Sequence, residues 1–410
     1  MSNTFIAFRH KSFLYYFVGM CISTTGSWMQ NIAQPWLAYK LTDSALLLGL
    51  VSAMQFLPVL LFSLFAGVLV DRFPKKKLLI ATQSASLVIT GVLALLVYSG
   101  NIQYWHLLIT SALLGVVNTL DMPVRQSFLI ELVGKEDLMN GIALNSAMFN
   151  LARTIGPAIA GLVMKYFGIA TCFLVNSVSF AAVLVSLFFI KPLMVQKPMI
   201  REVNIFKDIM DGLKYIYHKK ILFITILIMG VVGTFAMNFN VLVPVFSVEV
   251  LHQSETGYGL LMSCMGIGSF FGAMLIAVIS KSGPNKFIMY FVPVFAATAL
   301  TLTGLTSVYA QTGIAMGVTG FFFIMFSSNA NSTMQMNTES KYLGRVMSVY
   351  TLVFAGSTPL GNLYAGAITE KFGARIGVVA CGAIILVLMI PIYLYIRRVS
   401  RKKNRSEQLT

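Results

Sequence analysis

The sequence predicts an all-α membrane protein of twelve transmembrane helices, arranged as two pseudo-symmetric six-helix bundles. Three observations predict it. Of 410 residues 57% are apolar, enough for roughly a dozen spans of ~20 residues each. Charged residues make up 11%, less than half of the ~25% usual in soluble domains. Turn residues recur at an offset near half the chain length. This composition excludes a water-soluble enzyme, a disordered chain and a nucleic-acid-binding domain.

Apolar runs bounded by charges or turn residues mark each span in order. The first, 13–36, starts at Phe13; it is longer than a signal-peptide core and lacks a small-residue cleavage site, so it reads as a retained span. The second, 46–70, stops at Asp71-Arg72, and the third, 78–98, follows Lys75-Lys76-Lys77. The fourth and fifth are 104–125 and 138–163, parted by Lys135-Glu136-Asp137. The sixth, 170–190, ends at Lys191-Pro192. The seventh, 221–245, follows Lys219-Lys220, and the eighth is 257–280. The remaining four are 287–307, 311–333, 345–368 and 376–396. Runs this long must be helices, because only that geometry satisfies their backbone polar groups in lipid, and a barrel would show short alternating strands.

Lysine and arginine set the orientation. With the amino terminus in the cytoplasm, 25 of the 30 basic residues fall on the cytoplasmic side and four outside (Lys40, Lys165, Lys371, Arg375), leaving Arg153 inside a span. Both termini are therefore expected in the cytoplasm. The formal charge of +16 reads as positive loops, not as a nucleic-acid footprint. Cys21, Cys172, Cys264 and Cys381 all lie within apolar runs, and His10, His106, His218 and His252 are far apart. No disulfide, metal or cofactor is expected.

The longest polar interruption, 191–220, carries Phe206, Ile209, Met210, Leu213 and Tyr217 at helical spacing opposite Lys207, Asp208, Asp211 and Lys214. That pattern predicts an amphipathic helix on the inner membrane face. It divides the chain into a first bundle (1–190), a cytoplasmic linker (191–220) and a second bundle with a basic cytoplasmic tail (221–410). Ser44/Ser254, Gly49/Gly259, Leu50/Leu260, Pro74/Pro284 and Lys76/Lys286 repeat at 210 residues, and Gly161/Gly366, Phe167/Phe372 and Gly168/Gly373 at 205. Matching turn residues in corresponding loops point to a duplicated unit, the plan by which secondary transporters place a midplane site between two moving halves.

The loop after the second span reads GVLVDRFPKKK, residues 67–77. Its lysines suit a helix C-terminus on the cytoplasmic side. Asp71 does not, and needs a partner; free N–H groups at the start of the eleventh span, around Gly344 and Arg345, can accept its carboxylate. The segment resembles the loop signature of the major facilitator superfamily, Gly-x-x-x-Asp-Arg-x-Gly-Arg-Lys. Gly67, Asp71, Arg72 and Lys76 match, with Pro74 in place of the second glycine and Lys75 in place of the arginine. DMPVRQ (121–126), LNSAMFNLARTIGPAIAG (144–161) and GRVMSVYTLVFAGSTPLGNLYAG (344–366) are similar to a bacterial branch that includes the enterobactin exporter and macrolide-efflux proteins. In the second-half copy of the signature, Lys281 and Ser282 stand where Asp71 and Arg72 would be.

The resemblance implies the major facilitator fold and a latch. Asp71 would hold the eleventh span when the cavity opens outward, an anion–helix contact worth roughly 0.3–2 kcal/mol. The alternative is a loop that only sets topology. Asp121 and Arg125, one turn apart, can pair with each other, or Asp121 can reach Lys75 as family gating networks suggest. Gating candidates are thus Gly67, Asp71, Arg72, Lys75, Asp121, Arg125, Gly344 and Arg345.

Arg153 lies mid-span, where a charge is costly without a cavity or partner. Gly156, Pro157 and Gly161 beside it resemble the antiporter signature of the fifth span, although Ala143, Ala152 and Ala160 replace its other glycines. Close packing by small residues is the plainer reading. Polar residues in other spans (Trp28, Asn31 and Gln34 in the first, Asn238 and Asn240 in the seventh, Asn329 in the tenth) suit an amphipathic ligand or interhelical hydrogen bonds. With Arg153 they are the substrate-cavity candidates. Gly268-x-x-x-Gly272 and Gly313-x-x-x-Gly317 are expected to be packing grooves.

No phosphate-binding loop is present, so there is no case for ATP hydrolysis and none for enzymatic activity. An ion gradient remains. The family favours proton antiport, yet Asp71, Asp121 and Glu131 all lie near the inner surface. One arginine and no acid at mid-depth lean toward neutral or anionic substrates. The expected protein is a monomeric, multi-pass secondary transporter of the bacterial plasma membrane, exporting a siderophore-like or drug-like molecule by proton-coupled alternating access, with the lipid bilayer as its other partner. The alternatives are a lipid or lysophospholipid translocator and a non-transporting membrane sensor.

Overall fold

The computed structural model describes residues 3–193, 205–279, 283–339 and 341–407, with side chains except at 3–4, 64, 68, 71, 205–208 and 399–407. The linker stretch 194–204, Lys281, Ser282 and the side chains of Asp71, Phe206, Lys207 and Asp208 thus lie outside the described residues.

Among the described residues every regular element is helical. A 3₁₀ stretch, Asn3–Arg9, leads into α1 (Lys11–Thr42), α2 (Ala45–Arg72), α3 (Lys75–Tyr98), α4 (Tyr104–Val133), α5 (Leu138–Phe167) and α6 (Ile169–Phe189). The linker helix is α7 (Ile205–His218). After it come α8 (Lys220–Phe235), α9 (Phe239–Glu249), α10 (Glu255–Ile279), α11 (Lys286–Leu305), α12 (Tyr309–Met336), α13 (Leu343–Phe372) and α14 (Ala374–Glu407). Among the described residues, ten spans are long and apolar enough to cross a membrane, α8 and α9 counting as one. α1 and α13, 32 and 30 residues long, fall outside that set because residues such as Gln30, Asn31, Gln34, Thr358 and Asn362 dilute their apolar content.

Local chemistry explains the boundaries. The Ser44 hydroxyl accepts from the Leu47 N–H (3.2 Å) at the start of α2, and Asn285 accepts from Phe287 N–H (2.8 Å) at the start of α11. Such caps satisfy donors that have no intrahelical acceptor. Gly168 and Gly373 end α5 and α13 in nearly the same conformation, φ/ψ 81/161° and 85/162°, which only glycine adopts without strain. Their N–H groups donate to Met164 and Thr369, again 205 residues apart.

The seventh span departs from the expected single helix over 221–245. It is interrupted after Phe235 and resumes at Phe239. The Asn238 side-chain amide donates to the Thr234 carbonyl (2.9 Å), replacing a lost helical donor. Gly361 of α13 sits against that same carbonyl with no room for a Cβ. α14 runs on to Glu407, beyond the expected 376–396, because nothing between Ile392 and Glu407 breaks a helix.

Two compact units emerge, Met1–Val203 with His252–Gly266 and Asn204–Leu251 with Ile267–Thr410. In the first, α6 packs on α1 and α3, and α4 on α2 and α3. At Gly26 a Cβ would stand 2.9 Å from Asn176 Oδ1, so the α1–α6 approach depends on that glycine. Phe13, Tyr16, Phe128, Leu132 and Leu187 fill the core at the end bearing the basic loops. In the second unit α11 packs on α12 and α14, and α13 on α8, α14 and α7. Ile216 of α7 joins Ile228, Phe326, Met334 and Val349 in its core.

Candidate functional site

At the basic end of the first unit, α3 and α4 converge on one carboxylate. Asp121, 5% exposed, accepts from Thr82 Oγ1 (2.6 Å) and Gln83 Nε2 (2.8 Å) and pairs with Arg125 one turn on. Arg125 Nη1 also faces Met20 Sδ of α1 at 2.9 Å. Of the two partners open to Asp121, Arg125 is the one brought to it. Lys75 is buried and donates to the carbonyls of Val70 (2.7 Å) and Phe73 (3.5 Å), capping the end of α2. Arg72 is exposed, and Gly67 is exposed with open space about it. The Asp71 side chain lies outside the described residues.

Higher in the unit, a neutral hydrogen-bonded chain joins four helices. Gln34 donates to Ser111 (2.6 Å) and Gln30 to Gln34 (3.1 Å), while Thr90 (3.3 Å) and Asn176 (2.6 Å) donate to Gln30 Oε1. All of these residues are buried. Each member satisfies another, so the chain withstands burial. Gln34 is therefore engaged within the unit, while Asn31 Oδ1 takes a long contact from Gln55 (3.5 Å).

Arg153 stands apart from that chain. Its Nη2 donates to Asn150 Oδ1 (3.0 Å), and its buried Nε has no hydrogen-bond partner among the described residues. Trp28 packs on the same helix: its ring meets Phe149 edge-on at 5.7 Å, and a Cβ on Gly156 would stand 2.6 Å from its Cβ. Arg153 thus offers a guanidinium with one buried N–H unsatisfied among the described residues, on the helix whose Phe149 and Gly156 meet Trp28; such a cation suits an anionic group.

The glycines of α5 serve packing. Gly161 faces Glu255 O at 2.9 Å and Thr256 Cα at 3.0 Å, and Gly259 presses on the Pro157 carbonyl. Two turns further along α10, Gly266 faces Thr154 Cα at 2.8 Å. Trp36 stacks on Tyr258 with ring centroids 5.6 Å apart at 12°. In the second unit Gly268 likewise meets Gly317.

The remaining candidates lie in the second unit. Asn238 is spent on Thr234, though its Oδ1 is buried without a partner among the described residues. Asn240 is half-buried. Asn329 is almost fully buried and grips the Asn285 backbone in both directions, accepting at 2.8 Å and donating at 3.0 Å. Gly344 has open space around it, and Arg345 pairs with Asp211 of α7 at 3.2 Å. Sequence reasoning missed Thr82, Gln83, Thr90 and Asn176, whose only signal was a polar side chain within an apolar run.

A family model described as transmembrane secretion effector matches residues 2–409. The staphyloferrin A transporter of Staphylococcus aureus (strain NCTC 8325 / PS 47) is 27% identical over 366 residues, 88% of this chain and 90% of its own. The multidrug efflux pump Tap of Mycobacterium tuberculosis (strain ATCC 25618 / H37Rv) is 25% identical over 94% of this chain and 91% of its own. Macrolide efflux protein A of Streptococcus pyogenes is 20% identical over 91% and 93%. Among solved structures, a bacterial homologue of the human lysosomal transporter Spinster superposes with a TM-score of 0.75 at 11% identity, covering 94% of this chain and 96% of that one. The nucleoside transporter NupG gives 0.75 at 9% identity, covering 93% and 98%.

Proposed function

Because the chain belongs to the transmembrane secretion effector family of the major facilitator transporters, we propose that it exports a small organic molecule, siderophore-like or drug-like, by alternating access. It is a multi-pass membrane protein of transporter type, not an enzyme. The finer reading adds α1 and α13 to the ten apolar spans, giving twelve in two six-helix bundles, 1–190 and 221–410, joined by the linker 191–220. It places both termini in the cytoplasm of a bacterial cell and takes the monomer as the working form. Protons drive the cycle. Asp71 acts as a latch toward Gly344 and Arg345, while Gly67, Arg72, Lys75, Asp121 and Arg125 keep that face of the first unit in register.

The single observation that carries the export reading is the end-to-end match to relatives named for export of drugs and macrolides and for siderophore transport. Arg153 carries the leaning in substrate chemistry. A guanidinium with an idle buried N–H, in an acid-free stretch of α5, favours a neutral or anionic group over a cation. Trp28 and Asn31 are the first unit's further candidates for substrate contact; in the second unit Asn240 is the candidate left open, since Asn238 is engaged with Thr234.

Everted vesicles containing the protein, loaded with a panel of siderophores, macrolides and lysolipids under an imposed proton gradient, test this. Movement of a siderophore or macrolide with counter-movement of protons is expected. Movement of lysolipid alone would replace the reading with lipid translocation, and no movement of any compound would end it.

A further inference from the structure

Outside the spans, one kind of contact is made twice, once in each unit. In the first, the chain leading into α1 is tied to the start of α5. The Ala7 N–H donates to Asn140 Oδ1 (3.1 Å), and Asp137, the residue before α5, receives Arg9 Nη2 at 2.9 Å and His10 Nε2 at 2.7 Å on one oxygen. In the second, the helix leading into α8 is tied to the start of α13. Asp211 pairs with Arg345, the Tyr215 and Tyr342 rings stack at 4.5 Å, and Tyr215 Oη (3.1 Å) and Lys219 Nζ (3.0 Å) both donate to Glu339 Oε1. The approach is close enough that a Cβ on Gly212 would stand 2.9 Å from the Arg345 carbonyl oxygen.

The correspondence extends to register. Gly168 and Gly373 share one backbone conformation 205 residues apart, and at that offset Asp137 falls on Tyr342 and Asn140 on Arg345. All four residues touch the lead-in segment of their own unit. Their chemistry does not correspond: carboxylate against Arg and His in one case, stacked phenols and an ion pair of reversed sense in the other. Glu339, one turn before Tyr342, supplies the acid there. The cations that bind the two acids, Arg9 and Lys219, are 210 residues apart, the spacing of Ser44 and Ser254. A contact kept at equivalent positions while its residues are exchanged is held for the tie itself.

We propose that Asp137 and Glu339 are positioning residues, each anchoring a strap that makes the entry of the fifth-type helix (α5, α13) move as one piece with the entry of the first-type helix of its unit (α1, α8). Each strap binds by charge-assisted hydrogen bonds, which are short and directional enough to transmit a rotation. The inference stands independently of the cargo and of proton coupling.

Hydrogen exchange on the full-length protein in lipid nanodiscs tests it, following residues 5–12 and 138–148 for the first strap and 209–219 and 343–350 for the second. Asp137→Asn should speed exchange in both segments of the first pair by about tenfold, as expected for a lost charge-assisted bond, and leave the second pair unchanged. Glu339→Gln should speed exchange in both segments of the second pair and spare the first, by only a few-fold because that acid is exposed. Asp137→Glu and Glu339→Asp should restore protection, and Glu136→Gln, an exposed neighbour, should change nothing. Unchanged protection in both segments of a neutralised strap overturns the proposal. So does loosening of one segment alone, because the acid then holds that segment and couples nothing.

Discussion

Asp121 shows how much can depend on one side chain. Its carboxylate is the common acceptor of Thr82, Gln83 and Arg125, so it ties α3 to α4 and, through Arg125, to Met20 of α1. Breaking a buried pair leaves an uncompensated charge, at a cost of about 3–5 kcal/mol, whereas removing both partners together costs less. Asp121→Asn should therefore lower the unfolding temperature more than the double variant Asp121→Asn/Arg125→Gln, measured by thermal unfolding in detergent. Equal losses would show that the pair is not coupled. Asp137 adds a pH dependence. The hydrogen bond from His10, with Arg9 beside it, holds its carboxyl below the usual carboxylate range against the opposing pull of burial. A lowered carboxyl stabilises the fold fully above its ordinary value and loses that contribution as pH falls through the folded one. Protection of residues 5–12 should thus persist through neutral pH and fail only below about pH 4. In the second strap the bonds from Lys219 and then Tyr215 lower Glu339, and those to Tyr215 and Glu339 raise Lys219. That strap should fail in acid and also in strong alkali, once pH rises through the raised lysine value.

Among the elements, the interrupted seventh span has the clearest energetic signature. Asn238 occupies the carbonyl that the break exposes, and its removal strands a buried acceptor at about 1–3 kcal/mol. Asn238→Ala should reduce thermal stability accordingly, and an unchanged melting temperature would mean that other groups satisfy Thr234. The break was not legible in the sequence, since 221–245 is almost uniformly apolar and the contact that accompanies it comes from Gly361, over a hundred residues away. Helix existence was legible wherever apolar runs met charges, as at Lys75 and Leu138. The pairing of Asp121 with Arg125 was legible because i and i+4 are neighbours on any helix. The partner of Gln30 was not, because Asn176 lies 146 residues away and nothing in spacing links them. Asn329 illustrates the same limit: a polar residue in a span reads equally as ligand contact or as backbone clamp, and here it holds Asn285. In the linker helix, expected to present Ile209, Met210, Leu213 and Tyr217 on one face, the packed side is Ile209, Gly212 and Ile216, with Met210, Leu213 and Tyr217 exposed.

For the molecule as a whole, the proposed export cycle assigns Asp71 a role that stability alone does not need. Asp71→Asn should leave membrane insertion at normal levels and slow net flux several-fold, because a contact of roughly 0.3–2 kcal/mol biases a two-state equilibrium without fixing it. Full flux with normal insertion would reduce that loop to a topology signal. The last helix has a consequence of its own. The apolar part of α14, Ala374–Arg398, is 25 residues long, enough by itself for a ~30 Å hydrocarbon layer. The helix nevertheless continues unbroken to Glu407, adding about 14 Å at 1.5 Å per residue. The chain therefore leaves the bilayer as a stiff, positively charged post, and a reporter domain fused behind it would be carried clear of the lipid headgroups.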